Sequence, residues 1–588
     1  MNVGSRSLSL MTSISKSQSS VLQRTLISSI VKQQRCLSTI KNTSKFTSSN
    51  FKTLYTNTST NRHFHRIVPL LQQQSSTPSK PKSKLRSFGK FVSRFALYSA
   101  LTIASYFSYS LYKELHPNEQ EPQSPTFADG SPRKTLVILG TGWGAVSLLQ
   151  ELDTSLYNVV IVSPRNYFLF TPLLPSTPVG TVNLKSIVEP IRSITRRSKG
   201  EVIYYEAYAT DVDLANKTLT IKPVSSDFQN KRCPAEQTLK TLKYDYLVMS
   251  IGATSTTFNI PGVTENAIFM KEVSDSERAR AKIMNTIEKA SFLPRGDPER
   301  DKLLNFLVVG GGPTGVEFVA ELQDFIKQDL TKTMPEIAQD IKVSLIEGLP
   351  NILNMFDKKL IDYTQKFLIN EDVDLKLNTL VKRVTPDAVY ASCKGEEVEY
   401  PYGVLIWSTG IKPQKLTMDI MKKLDVQTDR RGLLIDDKLR LLGAEDSVFG
   451  IGDCTFHPGW VPTAQVAHQE GEYLAKYLKK LHEIDQLKWK MEQPGCPDKE
   501  SLKTKIEKIE SNLVDFQYHH KGTLAYIGDD KAIIDLSIAG SKYRLSGGNF
   551  VFWFWRSVYL SMCISLRNRV LVTADWIRTS VFGRDSSV

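Results

Sequence analysis

The chain has 588 residues, of which 41% are hydrophobic and 9% aromatic, so it is mostly folded and long enough for two to four globular units. Its formal net charge of +14 is concentrated before the first acidic residue, Glu114, where 17 of the 75 Lys and Arg lie. The 58 basic residues that remain nearly balance the 61 acidic ones, which argues against a nucleic-acid partner.

Residues 1–94 are rich in Ser, Thr and Arg and contain no Asp or Glu. This composition is typical of a mitochondrial transit peptide followed by a basic linker. A disordered, Ser-rich tail is the alternative, but solvation alone rarely yields so long a stretch without an acid. We therefore predict a mitochondrial protein.

The next segment, residues 95–112, holds 18 uncharged residues between Arg94 and Lys113. A helix of this length spans about 27 Å, close to the ~30 Å core of a bilayer, so we predict a transmembrane helix. Five of the 18 residues are Ser or Thr, which leaves an amphipathic presequence helix or a buried core helix as alternatives. Basic residues precede the span, so the body is expected to face the intermembrane space from the inner membrane, with the matrix face as the alternative.

From Lys134 onward, continuous apolar runs alternate with helical patterns. Such runs are typical of parallel strands that are buried on both faces. The body is therefore predicted to be α/β, with strands in segments that include KTLVILG, YNVVIVS, LLNFLVVGGG and IKVSLIE.

Two glycine-rich loops follow these runs, one at residues 136–146 and one at residues 307–317. Each loop joins a strand to a helix, which is the context that dinucleotide binding requires, so two bound dinucleotides are predicted. The residues expected to allow the tight turn, the approach of the backbone to a diphosphate and close helix packing are Gly140, Gly142, Gly144 and Ala145 in the first loop and Gly310, Gly312 and Gly315 in the second.

The end of the second strand in each unit indicates which dinucleotide is bound, because an acid there bonds the ribose hydroxyls. After the second loop this position is Glu347, whose carboxylate would repel a 2′-phosphate, so NADH rather than NADPH is predicted. Its spacing of 37 residues from Gly310 exceeds the usual ~20 and implies a longer connection. In the first unit the position is Ser163, a possible ribose partner, while Arg165 either reaches the adenine-side phosphate or lies on the surface.

Three further segments predict that the first dinucleotide is FAD. The strand before Gly252 resembles the one that closes a first FAD segment, and the strand before Gly410 resembles its counterpart after an inserted NADH domain. In GIGDC, Gly452 precedes Asp453, which this fold commonly places on the ribityl chain of FAD. The architecture is thus predicted to comprise two Rossmann-like dinucleotide-binding domains. Their boundaries are 134–265 for the first FAD-binding part, 266–403 for the NADH-binding domain and 404–477 for the second FAD-binding part.

The remaining sequence changes character twice. Residues 478–513 carry dense alternating charge and are predicted to form an exposed helical hairpin around Pro494 and Gly495, a solvated insertion without a calcium loop. Residues 514–588 contain three Trp interleaved with Arg, a mixture that fits helices lying in a membrane interface. They are predicted to form a membrane-anchoring domain; core helices that cover the preceding domain are the alternative.

The six cysteines are scattered, with no CxxC or similar spacing. Neither a metal site nor a redox dithiol is therefore predicted. Flavoproteins that reduce disulfides or oxidise sulfide need two cysteines near the flavin. We expect the electrons to leave this protein to a lipid-soluble carrier instead.

The body resembles the type II, rotenone-insensitive NADH:ubiquinone oxidoreductases of fungal mitochondria over roughly residues 134–588. The predicted N-terminal span makes it most similar to the external form, which oxidises cytosolic NADH. The motifs that carry the resemblance are GTGWGA, SPRNYFLFTPLLPSTPVGTV, GGGPTGVEFVAEL, EGLPNILNMFDKKL, GIGDC and PTAQVAHQEGEYLAKYL.

This resemblance implies a non-covalent FAD that takes hydride from NADH and passes two electrons to ubiquinone without proton pumping. It also implies membrane lipid as a partner, and a homodimer is expected. The positions that it assigns are Gln465 and His468 beside the quinone head group, Met562 in the quinone tunnel, Thr171 and Pro172 alongside the flavin, and Glu317 near the nicotinamide.

Two of these residues have simpler alternatives. Glu317 would also suit the first turn of a helix, where an acid favours the helix dipole. His468 either relays a proton to the quinol, since imidazole titrates near physiological pH, or is a helix-surface histidine. The rival functions are a soluble-acceptor NAD(P)H flavin reductase and an NADH-sensing flavoprotein that uses the charged hairpin as an interaction surface.

Overall fold

The computed structural model describes residues 94–587, apart from 95–96, 100, 103–104, 106–107, 118, 225–238, 497, 539–540 and 586. The predicted transit segment therefore lies outside the described residues except for Arg94, and the predicted span at 95–112 is described only in part. Within the described ranges, no helix has both the length and the apolarity needed to cross a bilayer. The targeting segment and the span stay predictions.

The first FAD-binding part begins with a strand, a glycine loop and a helix, as predicted. A short 3-10 helix at Thr171–Ser176 lies between its third strand and its second helix. The elements in chain order are β1 (Thr135–Leu139), α1 (Trp143–Glu151), β2 (Asn158–Ser163), β3 (Tyr167–Leu169), α2 (Leu184–Ile187), β4 (Val188–Pro190), α3 (Ile191–Thr195), β5 (Val202–Asp213), β6 (Thr218–Pro223), β7 (Lys240–Lys243), β8 (Tyr246–Met249), β9 (Ala253–Ser255) and α4 (Val263–Asn266).

The inserted domain repeats this strand, loop and helix order. A π-helical turn at Ile326–Leu330 follows its main helix. The elements are β10 (Ile268–Phe269), α5 (Val273–Ser291), α6 (Pro298–Leu303), β11 (Asn305–Val309), α7 (Pro313–Phe325), α8 (Thr331–Thr333), α9 (Pro335–Ala338), β12 (Lys342–Ile346), α10 (Lys358–Asn370), β13 (Val373–Lys376), β14 (Thr379–Val384), β15 (Ala388–Cys393), β16 (Glu396–Pro401) and β17 (Val404–Trp407).

The last part of the chain returns to the first domain and then forms a C-terminal domain of strands and helices. Its elements are β18 (Ile411–Pro413), α11 (Lys415–Lys423), β19 (Leu433–Leu434), β20 (Val448–Gly450), β21 (Thr455–Phe456), α12 (Ala464–Glu492), α13 (Lys499–Ser511), β22 (Thr523–Gly528), β23 (Lys531–Ile538), β24 (Ser541–Ser546), α14 (Gly548–Met562) and α15 (Leu566–Phe582).

The first sheet has the strand order β20-β8-β1-β2-β5-β6-β7. Strand β1 pairs in parallel with both β2 and β8, and β20 extends the sheet in parallel beside β8. These strands are buried on both faces, which is why their sequences are continuous apolar runs. Since β20 follows the inserted domain in sequence, the first domain is assembled from two separated parts, as predicted.

The second sheet has the order β10-β17-β11-β12-β13, with every pair parallel. The predicted boundary at 403/404 is therefore wrong, because β17 pairs with β11 and belongs to the inserted domain. Its run VLIW is buried throughout and suits either sheet, so the pattern alone did not decide its partner. The chain crosses back after Trp407, through the antiparallel pair of β9 and β18.

The charged hairpin and the C-terminal domain follow. Helix α12 has Thr463 as its N-cap and runs unbroken into the charged segment; the chain then turns near Gly495, where φ is positive, and α13 follows. The predicted hairpin is confirmed, although its first helix starts earlier, inside the preceding domain. Strands β22, β23 and β24 form an antiparallel sheet that the sequence reading did not anticipate, and β22 and α14 lie against α7.

Candidate active site

A cavity of about 940 Å³ opens at the carboxyl ends of β1 and β8. In open α/β sheets this edge is where ligands bind. The cavity brings together most of the residues that the sequence predicted for the flavin: Gly140, Gly142, Gly144, Ser163, Arg165, Thr171, Gly252, Gly452 and Asp453.

The first glycine loop is shaped by close backbone contact on one side and open space on the other. Gly140 has φ +105°, and a Cβ there would overlap the carbonyl oxygen of Ser250. At Gly142 an added Cβ would meet nothing closer than Arg165 Nη2 at 3.9 Å. Helix α1 begins directly after Gly142, so its free N–H groups face the cavity. Ala145, by contrast, is fully buried and serves helix packing, as predicted.

Hydroxyl groups and one ion pair hold this loop in place. Ser163 Oγ lies 3.1 Å from Thr141 Oγ1 and accepts the N–H of Arg165 at 3.2 Å. The Arg165 guanidinium pairs with Glu272 at 3.0 Å, at the wall of the cavity. Thr141 and Glu272 were not predicted as site residues, because their roles depend on contacts with distant segments.

Asp453 lies on the cavity wall at the turn after β20. Burial raises the pKa of its carboxyl, while Lys271, whose Nζ is 4.0 Å away, opposes that shift. Glu470 of α12 is buried behind the same turn and accepts the N–H of Gly452 at 2.6 Å. Burial raises the pKa of Glu470 to about 7. Neither Lys271 nor Glu470 was singled out from sequence, since both resemble ordinary helix-flanking charges.

These residues fit FAD. The loop at Gly140 leaves room for a diphosphate beside the N-terminus of α1, and the half-buried carboxylate of Asp453 offers an acceptor for a polyol chain. The cavity volume also suits a ligand of dinucleotide size.

The second glycine loop has a similar backbone conformation, but a carboxylate supports it. Gly310 has φ +116°, and a Cβ there would approach the carbonyl oxygen of Ser408 to 2.7 Å; Gly312 faces open space. Glu347 lies directly after β12, where its Oε2 accepts the N–H of Gly311 at 2.6 Å and its Oε1 that of Leu349 at 2.9 Å.

The spacing of 37 residues between Gly310 and Glu347 has a structural explanation. The π-helical turn and the short helices α8 and α9 lengthen the connection between α7 and β12. Despite that length, the carboxylate reaches the glycine loop. The longer connection implied by the sequence is therefore confirmed.

The helix that follows the second loop reaches the same cavity as the first loop. Thr314, at the start of α7, lines it together with Trp407, Ser408 and Thr409 after β17. Gly410, predicted with the NADH-binding residues, lines it as well and follows β17 at the crossing back to the first domain. The second loop itself contains the predicted Gly310, Gly312 and Gly315, and Glu347 accepts one of its N–H groups.

Glu317 occupies a buried position on the opposite side of α7 from the glycine loop. It is the fifth residue of a helix that starts at Pro313, so the alternative of a first-turn acid is wrong. Its side chain is 6% exposed and accepts the N–H of Tyr526 at 3.2 Å and the hydroxyl of Tyr559 at 3.4 Å. Burial raises the pKa of Glu317 to about 8. The carboxyl thus lies between the inserted domain and the C-terminal domain.

Gln465 and His468 lie on the first turns of α12. Gln465 Nε2 donates to the carbonyl of Gly522 at 2.7 Å, which ties α12 to the C-terminal domain. His468 Nδ1 lies 2.6 Å from Ser147 Oγ of α1, and its Nε2 lies 3.5 Å from Glu472. Burial lowers the pKa of His468 and so favours the neutral imidazole. The His468 ring therefore contacts neighbouring side chains and is not a free surface histidine, although part of it stays accessible to solvent.

Of the three remaining candidates, Thr171 lines the flavin cavity. Thr171 Oγ1 accepts the indole N–H of Trp143 at 3.1 Å, and Pro172 is the next residue of the 3-10 helix. Met562 is the last residue of α14, one turn after Tyr559, and packs against the core. The ring of Tyr559 in turn lies 6.2 Å from Phe170.

Two dinucleotide-binding sheets, with one cavity lined by the first glycine loop and by the start of the helix after the second, define a flavin-dependent pyridine nucleotide oxidoreductase. Residues 134–471 match the family model of the pyridine nucleotide-disulphide oxidoreductases, and residues 520–585 match the NDH2 C-terminal domain. The chain is 54% identical to external NADH-ubiquinone oxidoreductase 2 of Saccharomyces cerevisiae mitochondria, over 84% of this chain and 90% of that protein.

A second mitochondrial relative, the external alternative NADH-ubiquinone oxidoreductase of Yarrowia lipolytica, is 44% identical over 86% of this chain and 88% of its own length. The structure of NDH2 from Plasmodium falciparum in complex with NADH superposes with a TM-score of 0.67 at 28% identity, covering 78% of this chain and all of that one. The chain belongs to the NDH2 family of NADH-ubiquinone oxidoreductases.

Proposed function

We propose that this protein transfers two electrons from NADH to ubiquinone through bound FAD, without pumping protons. The observation that carries the proposal is that one cavity is lined both by the first glycine loop and by Thr314, which follows the second loop at the start of α7. FAD, when bound, supplies the two-electron chemistry between a nicotinamide and a quinone. The names of the relatives and the NADH complex of the Plasmodium protein support this assignment.

The first domain supplies donors and acceptors for FAD. The N–H groups at the start of α1 bind the diphosphate, and Asp453 accepts a hydrogen bond from the ribityl chain. Because Glu470 holds the N–H of Gly452, the turn that carries Asp453 stays fixed. Ser163 and Arg165 complete the wall on the adenosine side, with the charge of Arg165 balanced by Glu272.

The second domain selects NADH. Glu347 is held by two backbone N–H groups with its charge at the glycine loop, where the adenosine ribose binds in this fold. A carboxylate in that place bonds the two ribose hydroxyls and repels the additional phosphate of NADPH. Gly310, Gly312 and Gly315 leave the backbone free to approach the NADH diphosphate.

The quinone site is formed where α12 and α14 approach the first domain, with Gln465, His468 and Met562 beside the head group. Reduction of a quinone to a quinol requires two protons, and Glu317 is suited to supply one. Its raised pKa of about 8 keeps the carboxyl protonated at neutral pH, and the hydroxyl of Tyr559 connects it to α14. We therefore assign Glu317 to proton delivery.

Helices α14 and α15 bind the inner membrane, with the body toward the intermembrane space. Exposed apolar side chains on both helices support membrane binding. The exposed fraction is 60% for Trp553 of α14, 60% for Ile577 of α15 and 83% for Phe582 at the end of α15. Side chains of this kind are typical of helices that lie in a membrane interface. A homodimer is part of the proposal as well; its molar mass in mild detergent would test it.

The membrane role is tested by turnover with two acceptors. Trp553→Ser combined with Phe582→Ser should reduce the NADH-dependent reduction of long-chain ubiquinone in vesicles several-fold while leaving that of a water-soluble quinone unchanged. The matched control is Phe292→Ser, since Phe292 is equally exposed at 87% but lies after α5 in the NADH-binding domain. Equal effects of both variants, or none, would favour a soluble-acceptor reductase.

The orientation is tested separately, by adding protease to mitochondria whose outer membrane has been ruptured. Digestion of the body would support the intermembrane-space face. Protection until the inner membrane is dissolved would place the body in the matrix.

A further inference from the structure

Helix α7 carries a row of buried carboxyl groups, of which the proposed reaction uses only Glu317. Glu317, Glu321 and Asp324 are spaced by four and three residues, so they lie on one helix face, and all three are buried. Asp329, which is partly buried, continues the row in the following π-helical turn. Buried acids are rare unless they are paired, so this row requires a counter-charge.

The counter-charge is Arg584, which follows α15. In the part of the chain that the structure describes, all ion pairs of Glu321, Asp324 and Asp329 are made by this one residue, at 3.6, 3.6 and 3.0 Å. Its side chain is only 6% exposed. Arg584 Nε also donates to Thr181 Oγ1 at 2.8 Å, which joins the row to the first domain.

The backbone around Arg584 is fixed in this position. Gly583 has φ +83° and turns the chain inward after α15, and the N–H of Arg584 donates to Asp329 Oδ1 at 3.1 Å. The guanidinium of Arg280 then holds the carbonyl groups of Asp585 and Ser587, at 2.7 and 2.9 Å. The tail is therefore anchored from both sides of Arg584.

A continuous set of contacts leads from Arg584 to Glu317. Asp324 Oδ2, which pairs with Arg584, accepts the hydroxyl of Tyr526 at 2.5 Å. The N–H of the same Tyr526 donates to Glu317 Oε1 at 3.2 Å. Arg584 thereby fixes the strand whose backbone holds Glu317.

The charged and titratable groups that face this network come from every element packed around it. They are Glu317, Glu321 and Asp324 from α7, Asp329 from the π-helical turn, Lys332 from α8, Tyr526 from β22, Asp529 and Asp530 after β22, Arg556 and Tyr559 from α14, and Arg584 from the tail.

We propose that Arg584 is a positioning residue for quinone reduction: through Asp324 and Tyr526 it holds the N–H donor of Glu317 in place. The inference rests on the proposed role of Glu317 as proton donor. Without Arg584, Glu317 loses a fixed N–H donor to its carboxylate, and this loss favours its protonated form.

The experiment measures the pH dependence of NADH:quinone turnover in flavin-loaded full-length protein, together with the melting temperature. Glu317→Gln should abolish one limb of the pH profile of turnover. Arg584→Gln should move that same limb to higher pH by about one pH unit. Arg584→Lys, which keeps the charge, should restore most of the wild-type profile. An unchanged limb in Arg584→Gln would overturn the inference.

A double-mutant cycle distinguishes positioning from a general structural role. If Arg584 acts through Glu317, Arg584→Gln should add no further pH effect in the Glu317→Gln background, whereas an additive effect would contradict the inference. Tyr526→Phe removes only the hydroxyl that links the network to Asp324, so it should reproduce the shift even if Arg584→Gln does not fold. The wild-type profile in Tyr526→Phe would also contradict it.

Arg280→Gln serves as the matched control, because Arg280 holds the same tail through backbone carbonyls and forms no ion pair with the row on α7. It should leave the pH profile unchanged; a shift equal to that of Arg584→Gln would assign the effect to tail anchoring and overturn the inference. If Glu317→Gln itself leaves turnover and its pH profile unchanged, the proposed role of Glu317 fails. A missing effect of Arg584→Gln beside a clear effect of Glu317→Gln refutes only the positioning role.

Discussion

The two dinucleotide-binding domains contain the same strand, loop and helix, but the side chains that support the two glycine loops differ in charge. The first loop is supported by hydroxyl groups, Thr141 against Ser163, and by the neutralised ion pair of Arg165 with Glu272. The second is supported by the carboxylate of Glu347, which accepts two backbone N–H groups. Support without a net charge suits a ligand that stays bound, whereas a negative charge at the loop would repel the additional phosphate of NADPH, as proposed above.

The largest expected effect comes from removing the conformational freedom of the first loop. Gly140→Ala places a Cβ on the carbonyl oxygen of Ser250 at a φ that alanine rarely adopts, so the purified protein should contain almost no FAD. Gly310→Ala should retain FAD, measured by absorbance after denaturation, and lose reduction by NADH. Loss of FAD in both variants, or in neither, would remove the distinction between the domains.

A smaller effect is expected from Glu470, which braces the second part of the first domain and has no counterpart at the second loop. Because burial raises its pKa from 4.5 to about 7, the carboxyl favours the folded state at low pH, and this contribution is lost as pH rises from about 4.5 through 7. The loss amounts to roughly 3 kcal/mol.

Glu470→Gln should therefore flatten the pH dependence of the free energy of unfolding across that interval, measured by urea denaturation of the FAD-loaded protein. The comparison variant is Glu472→Gln, two residues along the same helix and half-exposed. A slope that remains in Glu470→Gln, or that vanishes equally in Glu472→Gln, would contradict the assignment.

Selectivity should change more modestly at the second loop. Glu347→Gln removes the negative charge but keeps an oxygen that can accept the N–H of Gly311. The ratio of kcat/KM for NADH to that for NADPH should fall about tenfold, mainly because KM for NADPH decreases. An unchanged ratio would mean that the carboxylate only braces the loop.

The smallest effect is expected from the ion pair of the first loop, since both of its side chains are partly exposed. Arg165→Gln should weaken FAD binding only a few-fold, measured by fluorescence during dilution, and should leave NADH selectivity unchanged. A loss of FAD as complete as that in Gly140→Ala would show that Arg165 binds the cofactor directly.

The sequence was sufficient where backbone geometry leaves a residue signature. The positive φ of Gly140 and Gly310 requires glycine at fixed places after a strand, so both loops were recognised correctly. It was insufficient where function depends on pairing between distant segments. The strand β17 was assigned to the wrong domain, because a run buried on both faces does not identify its neighbours.

The same limit applies to the buried carboxyl groups. Glu317 was singled out by resemblance, but its contacts with Tyr526 and Tyr559 come from segments more than 200 residues away. Nothing in the spacing of Glu321, Asp324 and Arg584 indicates that a residue at the end of the chain neutralises a helix in its middle. The antiparallel sheet β22-β23-β24 was missed for a different reason, since its strands mix apolar with polar residues and form no continuous apolar run.

The central claim, that electrons pass from NADH through FAD to ubiquinone, is tested most directly by rapid mixing without oxygen. Flavin absorbance should bleach within milliseconds to seconds of mixing with NADH and return fully when ubiquinone in lipid vesicles is added, with one quinol formed per NADH consumed. Bleaching that ubiquinone fails to reverse, while a water-soluble acceptor reverses it, would contradict the account and indicate a reductase with a soluble acceptor.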